Sequence, residues 1–129
     1  GAVILTMVPF LLQENLNAVG FLPHLLEHVT SGLLPFRIAG DIEFVVNRNE
    51  DSWLITLINN RGVFKLPTER EIIDYHQIQR AYITLSYKPA KLTDWINGQS
   101  IGARKLNRQE WQLTVDIPPG DLRIVQLQD

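Results

Sequence analysis

From Trp111 to Ile117 the chain alternates without a break: Trp111, Leu113, Val115 and Ile117 fall on one side, and Gln112, Thr114 and Asp116 on the other. A period of two belongs to a strand with one buried face, because helical geometry would scatter the same four apolar residues around a cylinder. Pro118-Pro119-Gly120-Asp121 then supplies turn residues before a second apolar run, Leu122 to Leu127, so the two runs are expected to form an antiparallel hairpin. The same logic extends backwards. Ile42, Phe44 and Val46 alternate with polar neighbours, Arg48 to Asp51 makes a turn, and Trp53 to Ile58 returns as a second strand. Val63 to Leu66 predicts a brief strand, stopped by Pro67. Ile83, Leu85 and Tyr87 share one face of an Arg80–Tyr87 strand, and Trp53 and Trp111 fall on core faces. Leu92 to Ile96 predicts another strand, ended by Asn97-Gly98, with Gly98 to Gly102 as loop. Thr68 and Glu71 have capping-box spacing, which allows one helical turn over 69–74, while Ile72-Ile73 suits extended chain equally well. Six to seven strands with no intervening helices give a mainly β fold, an antiparallel β-sandwich over residues 37–129.

The front of the chain differs. Residues 1–36 hold two charged groups, Glu14 and Glu27, whereas all 12 Lys and Arg residues lie from Arg37 onward. Ala2 to Val8 is a continuous apolar run closed by Pro9, the pattern of a strand buried on both faces. Phe21, Leu22, Leu25, Leu26, Val29 and Leu33 then recur at helical spacing, with Pro23 in the first turn and Gly32 and Pro35 at the end. The expected organisation is an N-terminal strand-helix segment over 1–36, followed by the β domain. The apolar run is shorter than a membrane span and lacks the flanks of a signal peptide, so neither is expected. A start at Gly1 in place of Met suggests an excised piece.

Composition excludes several classes of activity. With 12 Lys+Arg against 14 Asp+Glu and a formal net charge of -2, the 129 residues offer no basic surface for nucleic acid or anionic membrane. Cys is absent, which removes disulfides, thiolate metal sites and thiol nucleophiles. No P-loop, dinucleotide fingerprint or G-x-S-x-G is present.

Three constellations merit weighing. His24-Leu25-Leu26-Glu27-His28 has the spacing of inverted zinc peptidases, which would place His24 and His28 on one helical face with Glu27 beside a metal-bound water. No downstream helix supplies a third ligand, so the polar face of an amphipathic helix is the preferred reading, and no metal or other cofactor is expected. Paired carboxylates could hydrolyse a glycosidic bond, and Glu43, Glu69, Glu71, Asp74, Asp94, Asp116 and Asp121 are available, yet no spacing forces two together. Aromatic side chains could stack on sugars. Trp95 and Tyr75 are the candidates for ligand binding, since their positions commit them to no core face. Arg104, Lys105 and Arg108 suit a solvated loop tip.

The runs Gly40–Arg48 and Trp53–Val63 resemble the first hairpin of C-terminal β-sandwich accessory domains in multidomain glycoside hydrolases of the β-galactosidase kind, and Leu92–Gly98 and Val115–Val125 resemble the closing strands. The segment up to Pro35 is similar to the end of a preceding amidotransferase-like α/β domain. This resemblance implies a bacterial, noncatalytic accessory domain that supports domain packing or oligomer assembly, with no catalytic residue of its own. The implied partners are the other domains of a parent enzyme, with a homodimer as a further possibility through residues 2–35, and the implied location is periplasmic or extracellular. The alternative is a carbohydrate-binding module that stacks sugar on Trp95 or Tyr75.

Overall fold

The computed structural model describes residues 32–65, 68 and 70–128. The expected strand over 2–8, the helix over 21–33, and His24, Glu27 and His28 lie outside them. The chain divides into two compact units, Gly1–Leu34 and Pro35–Asp129. Among the described residues no helix is long and apolar enough to cross a membrane.

The second unit is mainly β, with eleven strands among the described residues: β1 (Phe36–Ala39), β2 (Glu43–Asn49), β3 (Ser52–Ile58), β4 (Val63–Phe64), β5 (Ile72–Ile73), β6 (Gln79–Leu85), β7 (Lys91–Asp94), β8 (Gln99–Ser100), β9 (Arg104–Lys105), β10 (Trp111–Ile117) and β11 (Leu122–Gln128). All pairings are antiparallel. One sheet has the order β1-β6-β10-β9, a second β2-β3-β11-β7-β8, and β4 pairs with β5 alone. Four of the eleven strands are two residues long; of these β4 is expected from the sequence, while β5, β8 and β9 are too short to carry a periodic signal, and the four-residue β1 is a strand that the sequence does not predict. Gln99–Ser100 and Arg104–Lys105, expected as loop, are two of the short ones. Ile72–Ile73 is extended and not helical.

The alternation of β10 is realised: Leu113, Val115 and Ile117 are buried, together with Ala81, Ile83 and Leu85 of β6. In the five-stranded sheet Trp53, Ile55 and Leu57 of β3, Leu92 of β7 and Val125 and Leu127 of β11 are buried. Phe36 of one sheet meets Trp53 of the other edge to face, with ring centroids 5.6 Å apart, so both sheets contribute to one core. Trp111 departs from its expected place. It is in phase with the core, but it stands at the first position of β10, where the core ends, and is half-buried.

The expected hairpin of β10 with β11 does not form. β10 pairs with β6 and β9, while β11 pairs with β3 and β7, so the Pro118–Asp121 turn carries the chain from one sheet to the other. The reason is local. Two consecutive prolines have no amide to donate to a ladder, and Asn59, arriving from the end of β3, occupies the corner instead. Its side-chain amide donates to the Ile117 carbonyl at 3.0 Å and its main-chain carbonyl accepts from Gly120 at 2.8 Å. The β2–β3 hairpin forms as expected, with Glu50-Asp51 as its turn.

Candidate binding surface

Register assigns every side chain of the five-stranded sheet to a face. Residues opposite one another share a side, so the face away from the core carries Glu43, Ile58 and Leu122 in one row, and Val45, Thr56 and Ile124 in the next. Asn47, Leu54, Gln126 and Thr93 form the third row. Two of these rows are largely apolar. Val45 is 50% exposed and Leu122 38%, with Ile58 and Ile124 half-buried. The four-stranded sheet is different: its outward side chains include Arg37, Thr84, Thr114 and the ion pair between Arg80 and Asp116.

Trp95 extends the apolar rows. β7 ends at Asp94, two residues before the expected strand does, and Trp95 and Ile96 sit in the following turn. The Trp95 amide donates to the Ile124 carbonyl at 2.9 Å, and its indole Nε1 donates to Gln126 Oε1 at 3.0 Å. Gln126 is held in turn by donating to Ser52 Oγ at 3.2 Å. The ring is therefore fixed while 54% of the residue remains open to solvent.

Asp94 builds the turn that presents it. Its Oδ1 accepts from the amides of Ile96 at 2.9 Å and Asn97 at 3.2 Å, and its Oδ2 accepts from Asn97 Nδ2 at 2.7 Å. This is the local acceptor geometry for which Asp is favoured in turns. Arg123 Nε lies 4.0 Å from the same carboxylate, so the buried charge is compensated.

Tyr75 is brought elsewhere. It is 71% exposed in the turn after β5, where Asp74 accepts from the His76 amide at 3.0 Å and from Gln77 Nε2 at 3.1 Å. These bonds hold the Asp74 carboxyl below the usual carboxylate range, the His76 amide contributing most. Among the described contacts, none joins Tyr75 to Trp95.

Three of the other candidate carboxylates have structural partners. Glu43 accepts from Asn60, Asp121 from Arg123 and from the Leu122 amide, and Asp116 from Arg80 at 2.6 and 2.9 Å. The hydrogen bond from the Arg80 guanidinium lowers the Asp116 pKa, and the Asp116 carboxylate in turn raises that of Arg80. Glu69 lies outside the described residues. Among the described residues no group of three or more His, Cys, Asp or Glu side chains is placed to hold a metal ion.

Trp111 is the aromatic residue that periodicity assigned too firmly to the core. Lys88 and Lys105 ammonium groups lie 5.6 and 5.7 Å from its ring centroid. Its place as the first residue of its strand is the signal that marks it as a core boundary.

No protein-family model matches the chain, and no curated protein matches it. Among solved structures, the chain is similar to α-L-fucosidase isoenzyme 2 from Paenibacillus thiaminolyticus, with a TM-score of 0.50 and 11% identity. The match covers 90% of this chain and 18% of that one, so the chain spans about a fifth of that enzyme's length, and the likeness is one of fold.

Proposed function

We propose that the chain is a noncatalytic accessory domain of a glycoside hydrolase, a two-layer β-sandwich that packs against a neighbouring domain of the same polypeptide through the outward face of β2, β3 and β11. The observation that carries this reading is the apolar face formed by Val45, Ile58, Leu122 and Ile124 with Trp95 at its margin. An antiparallel sheet with one solvated side presents polar residues there, as the four-stranded sheet does, and a contiguous apolar area on the other sheet marks an interaction surface. The fold likeness to a segment of a much longer fucosidase supports a place beside other domains. Production of the chain together with its neighbouring coding sequence tests the proposal. Amide exchange along β3 and β11 should slow relative to the chain alone, and Val45→Glu with Leu122→Glu should restore the faster rate. Equal exchange in the two polypeptides rejects it.

A second reading rests on the fixed indole of Trp95. A ring held by Gln126 and open on one side could stack on a pyranose, which would make this face a carbohydrate-binding surface. Titration calorimetry against neutral oligosaccharides, with Trp95→Ala as control, separates the two readings: heat that this variant abolishes favours sugar binding.

A further inference from the structure

We propose that the cleft between Ser86–Lys88 and Asn107–Trp111 binds an anionic saccharide, its carboxylate set against Lys88, Lys105 and Arg108 and its ring against Trp111. The cleft is a shallow, solvent-open depression of about 770 Å³, and polar side chains dominate its lining. A polar lining suits a hydrated, hydroxyl-rich ligand better than an apolar one. Lys105 stands directly opposite Trp111 in the β9–β10 register, and its ammonium group lies 5.7 Å from the ring centroid, with that of Lys88 at 5.6 Å. Arg108 adds a third cation to the rim.

The nearby carboxylate is already engaged. Glu110 accepts from Arg37 at 2.9 Å and from Asn107 Nδ2 at 2.6 Å, while Asn107 Oδ1 accepts from the amides of Gln109 and Glu110 at 2.8 Å. These bonds set the shape of the 107–110 turn and leave the three cations in excess. A neutral sugar would use the indole and leave the cations uncompensated. A uronic acid supplies both partners, a carboxylate for charge-assisted hydrogen bonds and an apolar ring face for the aromatic side chain. An extended polyanion such as nucleic acid would need a basic track beyond the cleft, which a chain of net charge -2 with no basic run does not provide.

This site is separate from the face of Trp95, so its failure leaves the domain-packing proposal standing. The test is titration of the full chain with trigalacturonate, with maltotriose and a short oligonucleotide as competitors in class. The expected result is a dissociation constant of about a millimolar or tighter for trigalacturonate, weakened by added salt. Lys88→Gln with Lys105→Gln should weaken it about tenfold or more while the circular dichroism spectrum is kept, and Trp95→Ala should leave it unchanged. Absence of binding at millimolar trigalacturonate, equal affinity in the double variant, or equal or tighter binding of maltotriose or the oligonucleotide overturns the proposal.

Discussion

The side-chain amide of Asn59 donates to the carbonyl oxygen of Ile117 at 3.0 Å, across 58 residues of sequence and from a residue only 1% exposed. The same amide donates to the Gln77 carbonyl at 2.8 Å, and Oδ1 accepts from the Arg61 amide at 2.9 Å. One side chain thus joins the ends of β3 and β10 to the segment that leads into β6. Removing it takes a donor from the buried Ile117 carbonyl, and an unmet buried polar group costs about 1 to 3 kcal/mol. Asn59→Ala should therefore lower unfolding free energy by about 2 to 4 kcal/mol when the other lost bonds are included. Asn59→Asp should be worse, because a second acceptor would face two carbonyls. Urea unfolding of the two variants checks the order.

That corner also explains where sequence reasoning stops. The strands themselves were legible, because burial on one face imposes alternation on Arg80–Leu85 and Trp111–Ile117. Whether the turn between β10 and β11 closes a hairpin or crosses between sheets depends on Asn59, which no local pattern connects to Ile117. β8 and β9 are too short for any period to show. Trp111 has the phase of a core residue, and only its three-dimensional neighbours reveal that the core ends there. Trp95 was recognisable as uncommitted, but the apolar rows it joins exist only once the register of β2, β3 and β11 is known.

Two glycines at positive φ should respond differently to substitution. Gly40 has a φ of 138°, and a Cβ there would stand 2.5 Å from the Arg80 carbonyl oxygen, so backbone strain and a clash with rigid main chain combine. Gly98, at 63°, has open space around the added atom. Gly98→Ala should cost about 1 to 2 kcal/mol, the ordinary penalty for a left-handed L-residue. Gly40→Ala should cost more than this and give the larger drop in melting temperature in parallel thermal scans.

Acid should weaken the outward face of the four-stranded sheet through Asp116. Its carboxyl is lowered in the folded state, first by the hydrogen bond from Arg80. A depressed folded-state pKa means that the contribution is present above the unfolded-state value and is lost as pH falls through the folded one. The window therefore opens below about pH 4. Both partners are half exposed, so the effect is small, the usual outcome for a solvated ion pair. Asp116→Asn should flatten the fall in melting temperature between neutral and acidic pH, and a carbon-detected titration of the Asp116 carboxyl should place its midpoint below that of a model peptide.

The two outward faces give the last prediction. Val45 and Leu122 lie on the apolar rows of the five-stranded sheet, and Thr114 lies on the polar face of the other. In the chain alone, Val45→Lys with Leu122→Lys should change stability by no more than about 1 kcal/mol, since exposed side chains contribute little to folding away from special features. The same change should reduce binding of a hydrophobic dye and any concentration-dependent self-association, because it breaks the contiguous area that Ile58, Ile124 and Trp95 complete. Thr114→Lys should alter neither. Dye fluorescence and sedimentation velocity on the three proteins decide the matter: equal signals would mean that the apolar rows attract nothing, and the surface on which the accessory-domain proposal rests would lose its physical basis.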